Sequence, residues 1–427
     1  MFISLPRLPY NYISRIVMTK KISIYLASAS MWLCSCMREP LANNQSTIPL
    51  SPFYVSQADA IEVAQRFSSK TYKQLSVKSD ASSSGNLLPM HDGDSPYAYI
   101  VNFPGGGLAI IAADRRMNPI LAYSEIGSIS EDSSAYPVGF QIWLDEIKAD
   151  FRSLQEGTYD EESALNNSLA WDKLLTCEDS KSIPMDTSLP NPIDTTVGPL
   201  LSTTWYEGSP FNSSLPQMLD TTTFTFQNVI AGSSTVAIAR LMHYHQSPSS
   251  FNWNDMPLSI PGNDSTYYSS LFGLYDDVFT KIDNYKGFYT YLGYTEVKEV
   301  FHVDSFLKTQ YGYSSATQIS YNSHTDYTIV QSELLDHHRP VIFTGKCNIG
   351  DKRREYWVCD GVHKYEEIVY DNDEPIGLLG HLYFHQSWMS HFFPPLWLGF
   401  LSFTAGTLGT GTYSYDNNMR LFYQIIP

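Results

Sequence analysis

The amino-acid sequence predicts an α+β protein in two folded parts, a small one followed by a larger body that is helical first and strand-rich later. Three observations carry that expectation. Residues 53–155 run from a helical pattern into two apolar stretches joined by PGGG, residues 156–196 turn polar and Pro-bearing, and residues 197–427 set helical periodicity ahead of a series of antiparallel strand runs. A chain of 427 residues, 43% of them apolar, is long enough to bury a sizeable core.

The first element is an address. Residues 1–17 add nothing that an export signal needs, which makes Met18 a candidate start; Lys20 and Lys21 then precede an apolar run over 22–33. A charged head and a short apolar core read as a secretory signal, and that core is too short for a stable membrane-spanning helix. The run ends in LCSC, a bacterial lipobox pattern with Cys36 in the lipid-acceptor place. Residues 1–36 are therefore expected to direct export, as a lipoprotein at the outer membrane or cell surface, or as a secreted protein. Residues 37–52 are polar and Pro-bearing, as a tether is.

The small part places Ala58, Ile61, Ala64 and Phe67 at helical spacing, then strands over 97–103 and 108–114 around the Pro104 to Gly107 turn, then a second helix near 138–154. Residues 156–196 read as an exposed linker. In the body, helices are expected over 233–246 and 300–311, with strands at 339–345, 355–361, 366–371, 381–388 and 396–403. No internal repeat is visible.

A formal charge of -17 repels nucleic-acid phosphates and anionic membrane surfaces, which excludes nucleic acid as a partner and leaves a lipid anchor as the route to a membrane. Of the five cysteines, Cys34 and Cys36 sit in the leader; Cys177, Cys347 and Cys359 show no zinc-site spacing, and Cys347 and Cys359 read as structural thiols. His243 and His245 point to different helix faces and cannot clamp one metal. The loop with Asp371, Asp373 and Glu374 lacks the spaced ligands of a calcium loop and reads as a solvated turn. His337, His338 and His363 read as surface, and His385 as a packed structural residue. No metal and no cofactor is expected.

The stretch 229–248, VIAGSSTVAIARLMHYHQSP, brings a small-residue turn to the mouth of a buried helix. A hydroxyl there, at Ser233, is either a nucleophile facing the positive helix end or an N-cap.

Several blocks, in order, resemble one family. NFPGGGLAIIAADRRMNPILAYSEIG at 102–127, VGPLLSTTWYEGSPFN at 197–212, AGSSTVAIARLMHYHQSP at 231–248, FNWNDMP at 251–257, RPVIFTG at 339–345 and YWVCDGV at 356–362 are similar to the streptopain family of papain-like cysteine peptidases. The resemblance implies a streptopain-type prodomain over 53–155 and a papain-like cysteine peptidase fold over 197–427, helical part and antiparallel sheet or barrel part. In that family a prodomain covers the cleft, a thiolate attacks, a histidine acts as base, a glutamine lines the oxyanion hole, and an Asn-Trp pair orients the imidazole.

Carried over position by position, the resemblance puts Ser233 where the family has its cysteine and Glu355 where it has its histidine. Glu207 replaces the oxyanion glutamine, and Ser387 replaces the orienting asparagine while Trp388 remains. Trp205, Phe211, Asn212, Ala237, Met242, Trp253, Pro257, Trp357, Asp360, Gly361, Phe384 and His385 stand where the family has equivalent packing residues. The departures fall together on the chemistry and spare the scaffold.

A serine hydroxyl needs a positioned base, and a carboxylate with a reference pKa of about 4.3 is poorly matched to that task near neutral pH. An ionised Glu207 would add negative charge beside a forming oxyanion, where loss of one neutral donor alone costs about 100- to 1000-fold. The resulting expectation is an exported homologue without peptidase activity that binds a protein or peptide, a related cysteine peptidase among the candidates, with Ser233 as an N-cap. Two alternatives stand beside it: a divergent hydrolase using Ser233 with Glu355, and an inhibitor of related cysteine peptidases acting through residues 53–155.

Overall fold

A helix with a reciprocal cap opens the described chain. In the computed structural model, which describes residues 51–71, 86–176, 191–220, 223–261, 264, 266–286, 302–346, 354–371, 374–390, 393–404 and 419–427, helix α1 spans Gln57–Thr71. The Asp59 N–H donates to Ser56 Oγ at 3.1 Å and the Ser56 N–H to Asp59 Oδ2 at 3.4 Å, a capping box that satisfies two otherwise orphaned amides. Strands β1 (Asn86–Asp92), β2 (Ser95–Asn102), β3 (Leu108–Ala112) and β4 (Ile120–Ser124) follow as an antiparallel meander. The PGGG turn joins β2 to β3 as the sequence predicts. Gly107, at φ +85, lies so near Ser124 O that a Cβ would come within 2.8 Å of it, so only glycine closes this corner.

Helices α2 (Val138–Glu156) and α3 (Glu161–Leu175) come next. Gly157, left-handed at φ 74, ends α2, and Asp160 caps α3 by accepting from the Ser163 N–H at 2.8 Å. Helix α3 corrects the linker expectation over 156–196. Trp171 is fully buried, its Nε1–H donating to Met117 O at 2.9 Å, and Arg66 of α1 reaches Leu174 O. The polar surface of α3, with Ala164, Asn167, Ala170 and Trp171 as its buried side, hides the helix among turn-forming residues.

The body continues with β5 (Asp194–Val197), the hairpin β6 (Gln217–Asp220) and β7 (Thr225–Asn228), α4 (Ser233–His245), α5 (Ser269–Lys286), α6 (Val303–Tyr311), β8 (Ser315–Ser320) and α7 (Ser323–Leu335). Then come β9 (Val341–Lys346), β10 (Arg354–Asp371), β11 (Glu374–Ser387), β12 (Leu396–Thr404) and β13 (Arg420–Ile426). The two strands expected at 355–361 and 366–371 are one long strand, β10. The fold is the expected mixed α+β architecture built on a large antiparallel sheet.

That sheet runs in the order β1-β2-β3-β4-β12-β11-β10-β9-β13-β8, with β5 added beside β10. Strand β4 pairs antiparallel with β12, Tyr123 opposite Trp397 and Ala122 opposite Leu398, so the small part and the body share one sheet within a single compact unit, Ser51–Pro427. Side chains reinforce the seam: Tyr383 O–H donates to Ile120 O at 2.9 Å, and the Trp143 Nε1–H of α2 to Gly399 O at 3.2 Å.

Strand periodicity places a core on each face. Trp357 and Cys359 of β10 join the core shared with α1, α2, α3 and β2 to β4, whereas Tyr356 and Val358 turn into the core of α4, α5 and α6. His363, expected at the surface, is held in this seam between Tyr123 O–H at 2.7 Å and Asp194 Oδ1 at 3.1 Å. No helix among the described residues is long and apolar enough to cross a membrane. The leader with Cys36, the tether, Cys177, Cys347 and Asp373 lie outside the described residues.

Two predictions test α3. Trp171→Ala should lower stability by about 3–5 kcal/mol, read in urea unfolding; an unchanged midpoint would return these residues to a tether. Glu367 ties α3 to the sheet through Lys173 Nζ at 2.6 Å and His381 Nε2 at 3.0 Å. Burial pushes the Glu367 carboxyl up, but the His381 hydrogen bond and the Lys173 charge outweigh it and bring the pKa down from 4.5 to about 2. Because the folded value lies below the unfolded one, this contribution is complete above about pH 4.5 and fades as pH falls toward 2. Glu367→Gln should flatten the pH dependence of the unfolding midpoint in that window.

Candidate functional site

Helix α4 starts at Ser233 because Gly232, at φ 81, allows the chain to turn into it, and Val236, Ala237, Ile238, Leu241 and Met242 bury it almost completely. Gly232, rather than Ser233, is the N-cap residue, which corrects the cap expectation. The Ser233 hydroxyl oxygen instead accepts the backbone N–H of Tyr356 at 3.0 Å, tying the helix start to β10. Glu207 lies on the other side of this turn: the Ala231 N–H donates to Glu207 O at 3.0 Å. Its side chain is half-buried.

Glu355 sits on β10 directly before Tyr356, its own carbonyl accepting from Thr344 Oγ1 at 2.7 Å. Its carboxylate leaves the body. Oε2 accepts the backbone N–H of Val138, the first residue of α2, at 2.8 Å. Pro137 precedes Val138 and provides no side-chain cap, so Glu355 satisfies an orphaned amide and puts negative charge at the positive helix end.

Ser387 ends β11 opposite Val358, buried, and Trp388 follows. The Trp388 ring lies 5.9 Å from Trp357, centroid to centroid, and the Trp357 Nε1–H donates to Gln386 Oε1 at 3.0 Å. Helix α2 packs flush on both indoles. A Cβ at Gly139 would come within 2.7 Å of Trp357 and of Trp388, so the second residue of α2 must be glycine for the helix to lie there. A small pocket open to solvent lies beside the helix, lined by Trp143, Glu146, Tyr321, Phe343, Trp357 and Trp388 among others.

A buried polar cluster fixes these elements. Arg240 of α4 donates from Nη2 to Thr203 O at 2.6 Å and from Nε to Thr203 Oγ1 at 3.1 Å; burial lowers its pKa and the Asp360 charge opposes that. Asp360 accepts from His385 Nδ1 at 2.6 Å and from the Leu201 N–H at 3.0 Å. Since a carboxylate only accepts, the proton lies on Nδ1. His385 is thus a packed residue with a defined partner. Cys359 is fully buried, and burial first, with the Asp360 charge, pushes its thiol well above the ordinary range, which leaves it inert.

Ser233 is thus tied to the residue after Glu355, Glu207 to Ala231 just before α4, and Ser387 pairs with Val358 on the same strand as Glu355. The histidines with a side-chain partner bond elsewhere: His245 with Tyr313 O–H, His302 with Gln318, His363 with Tyr123 and Asp194, His381 with Glu367, His385 with Asp360. Val138, Gly139, Tyr356, Thr203 and Arg240 escape sequence reasoning. Only Gly139 leaves a trace, as a poor helix former in the first turn of a predicted helix. Among the described residues no cluster of His, Cys, Asp and Glu is arranged to hold a metal.

Ser233→Ala would leave the buried Tyr356 N–H without its acceptor. It should cost about 1–3 kcal/mol, measured by denaturant unfolding.

Comparison with known proteins gives one family match: residues 52–151 fit the family described as Spi protease inhibitor. No curated protein matches the chain. Among solved structures, the prointerpain A fragment 39–359 of Prevotella intermedia, in a cysteine-to-alanine mutant form, is similar at 17% identity, covering 80% of this chain and 99% of that one with a TM-score of 0.47. Active wild-type interpain A cysteine protease from the same organism is similar at 17% identity, covering 54% of this chain and 96% of that one with a TM-score of 0.34. Residues 52–151 of this chain thus form a unit of the Spi protease inhibitor family.

Proposed function

We propose that this protein is an exported homologue of the streptopain-type peptidases that cleaves no peptide bond and works by binding a protein or peptide. The observation that carries the reading is where the Glu355 carboxylate lies. It holds the Val138 N–H, while the Ser233 hydroxyl accepts from Tyr356, so the hydroxyl and the carboxylate offered as its base are each engaged with a backbone amide. A serine hydroxyl needs a positioned base to reach an alkoxide near neutral pH, and the Glu355 carboxylate is committed to the Val138 N–H. Glu207, Ser387 and Trp388 then belong to a site that keeps its walls without its chemistry.

Binding to a polypeptide is supported by the β6–β7 hairpin. Phe224 and Phe226 are 80% and 70% exposed there, and Leu219, opposite Phe226, is 45% exposed. Large apolar side chains grouped on an exposed hairpin are a feature of contact surfaces. Export rests on the leader, with Cys36 as the lipidated residue. The family match favours a second reading, inhibition of a related cysteine peptidase by residues 52–151. Against it, the α2 face already packs on Trp357 and Trp388 of its own chain.

The purified protein should leave fluorescent casein intact and Ser233 unlabelled by a fluorophosphonate probe. Casein cleavage abolished by Ser233→Ala would overturn the non-catalytic reading. Full-length protein that lowers the casein activity of a papain-like peptidase would favour the inhibitor reading.

A further inference from the structure

We propose that Glu355 is a latch that makes the Spi-like unit a permanent part of the body rather than a releasable lid. This deepens the non-catalytic reading, because the residue standing at the family's base position has a different task here. The geometry is specific. The Glu355 carboxylate, on β10 of the body, caps the first amide of α2, on the Spi-like unit, at 2.8 Å. Pro137 before it has no side chain able to do so. Gly139, in the same helical turn, has no room for a Cβ between Trp357 and Trp388. On the next turn Ile142 lies against Gly345, where a Cβ would come within 2.5 Å of Ile142 Cδ1.

The helix start is thus clamped at its first amide by charge and over the turn that follows by shape. The contacts involve Glu355, Trp357 and Gly345 of the paired strands β9 and β10, together with Trp388 just beyond β11. An imidazole at position 355 could not reproduce the arrangement as a base: a ring nitrogen accepting the Val138 N–H would be engaged by the helix, and a protonated ring would meet the positive helix end with positive charge. Glu355 resolves that conflict in favour of docking. The β4–β12 pairing then extends the same attachment along the sheet. Cutting the chain between the two parts therefore would not release the Spi-like unit.

The experiment uses the full chain with a site-specific protease sequence inserted between residues 177 and 190. After cutting, the two fragments should co-elute on native size exclusion as one species. Glu355→Ala should raise their dissociation constant about tenfold, and Glu355→Gln, which keeps one acceptor oxygen, should fall between. On the uncut chain, Glu355→Ala should speed hydrogen exchange at the Val138 amide about tenfold and leave the Ile110 amide of β3 unchanged, which separates loss of the latch from loss of the fold. Fragments of the cut wild type that separate without denaturant would overturn the proposal. So would Glu355→Ala fragments and a Val138 amide that behave as wild type. Casein cleavage by a protein whose fragments stay together would remove the non-catalytic reading and leave the latch standing.

Discussion

The pairing of β4 with β12 is the constraint on which the arrangement depends. Two residues of each strand are in register, Tyr123 with Trp397 and Ala122 with Leu398, and that short ladder joins a four-stranded meander to the sheet of the body. With the meander fixed at that edge, α2 and α3 can reach only the face carrying Trp357, Trp388 and Trp397. The opposite face is left to α4, α5 and α6, and the alternation of β10 side chains serves both. Backbone hydrogen bonds set the placement, and aromatic packing fills it.

The polar groups follow the same division of labour. Arg240, Asp360 and His385 lie on three different elements and are almost fully buried, yet each has a hydrogen-bond partner in protein. Such a cluster tolerates little movement, since an unpaired buried charge is costly. It holds the start of the body against β10 and β11 whether or not the neighbouring residues perform chemistry.

Part of this is legible in the sequence. Strong apolar periodicity reveals α1, α2, α4 and α6, and the PGGG corner locates the β2–β3 turn. Helix α3 escapes because polar residues surround Ala170 and Trp171 in a stretch that continues into Ser- and Pro-rich sequence. The single strand β10 reads as two because Lys364 and Glu366 interrupt the apolar run, although the register with β11 continues through both. At the site, the sequence supplies identities and chain order but no partners. Glu355 and Val138 are 217 positions apart, and no local pattern links a strand carboxylate to a helix start. The Ser233 to Tyr356 bond is hidden for the same reason: one member is a backbone amide, which no residue type announces.

The junction of the two parts also bears on synthesis and expression. The meander emerges first from the ribosome and presents β4 as a ready template, so β12 is completed as soon as it arrives. Produced on its own, the segment from residue 197 onward would carry β12, with its Trp397 and Leu398, as an open edge, and Trp357 and Trp388 would lie bare beside it. Uncovered strands of that kind recruit one another, and the truncated body is bound to aggregate where the whole chain stays dispersed.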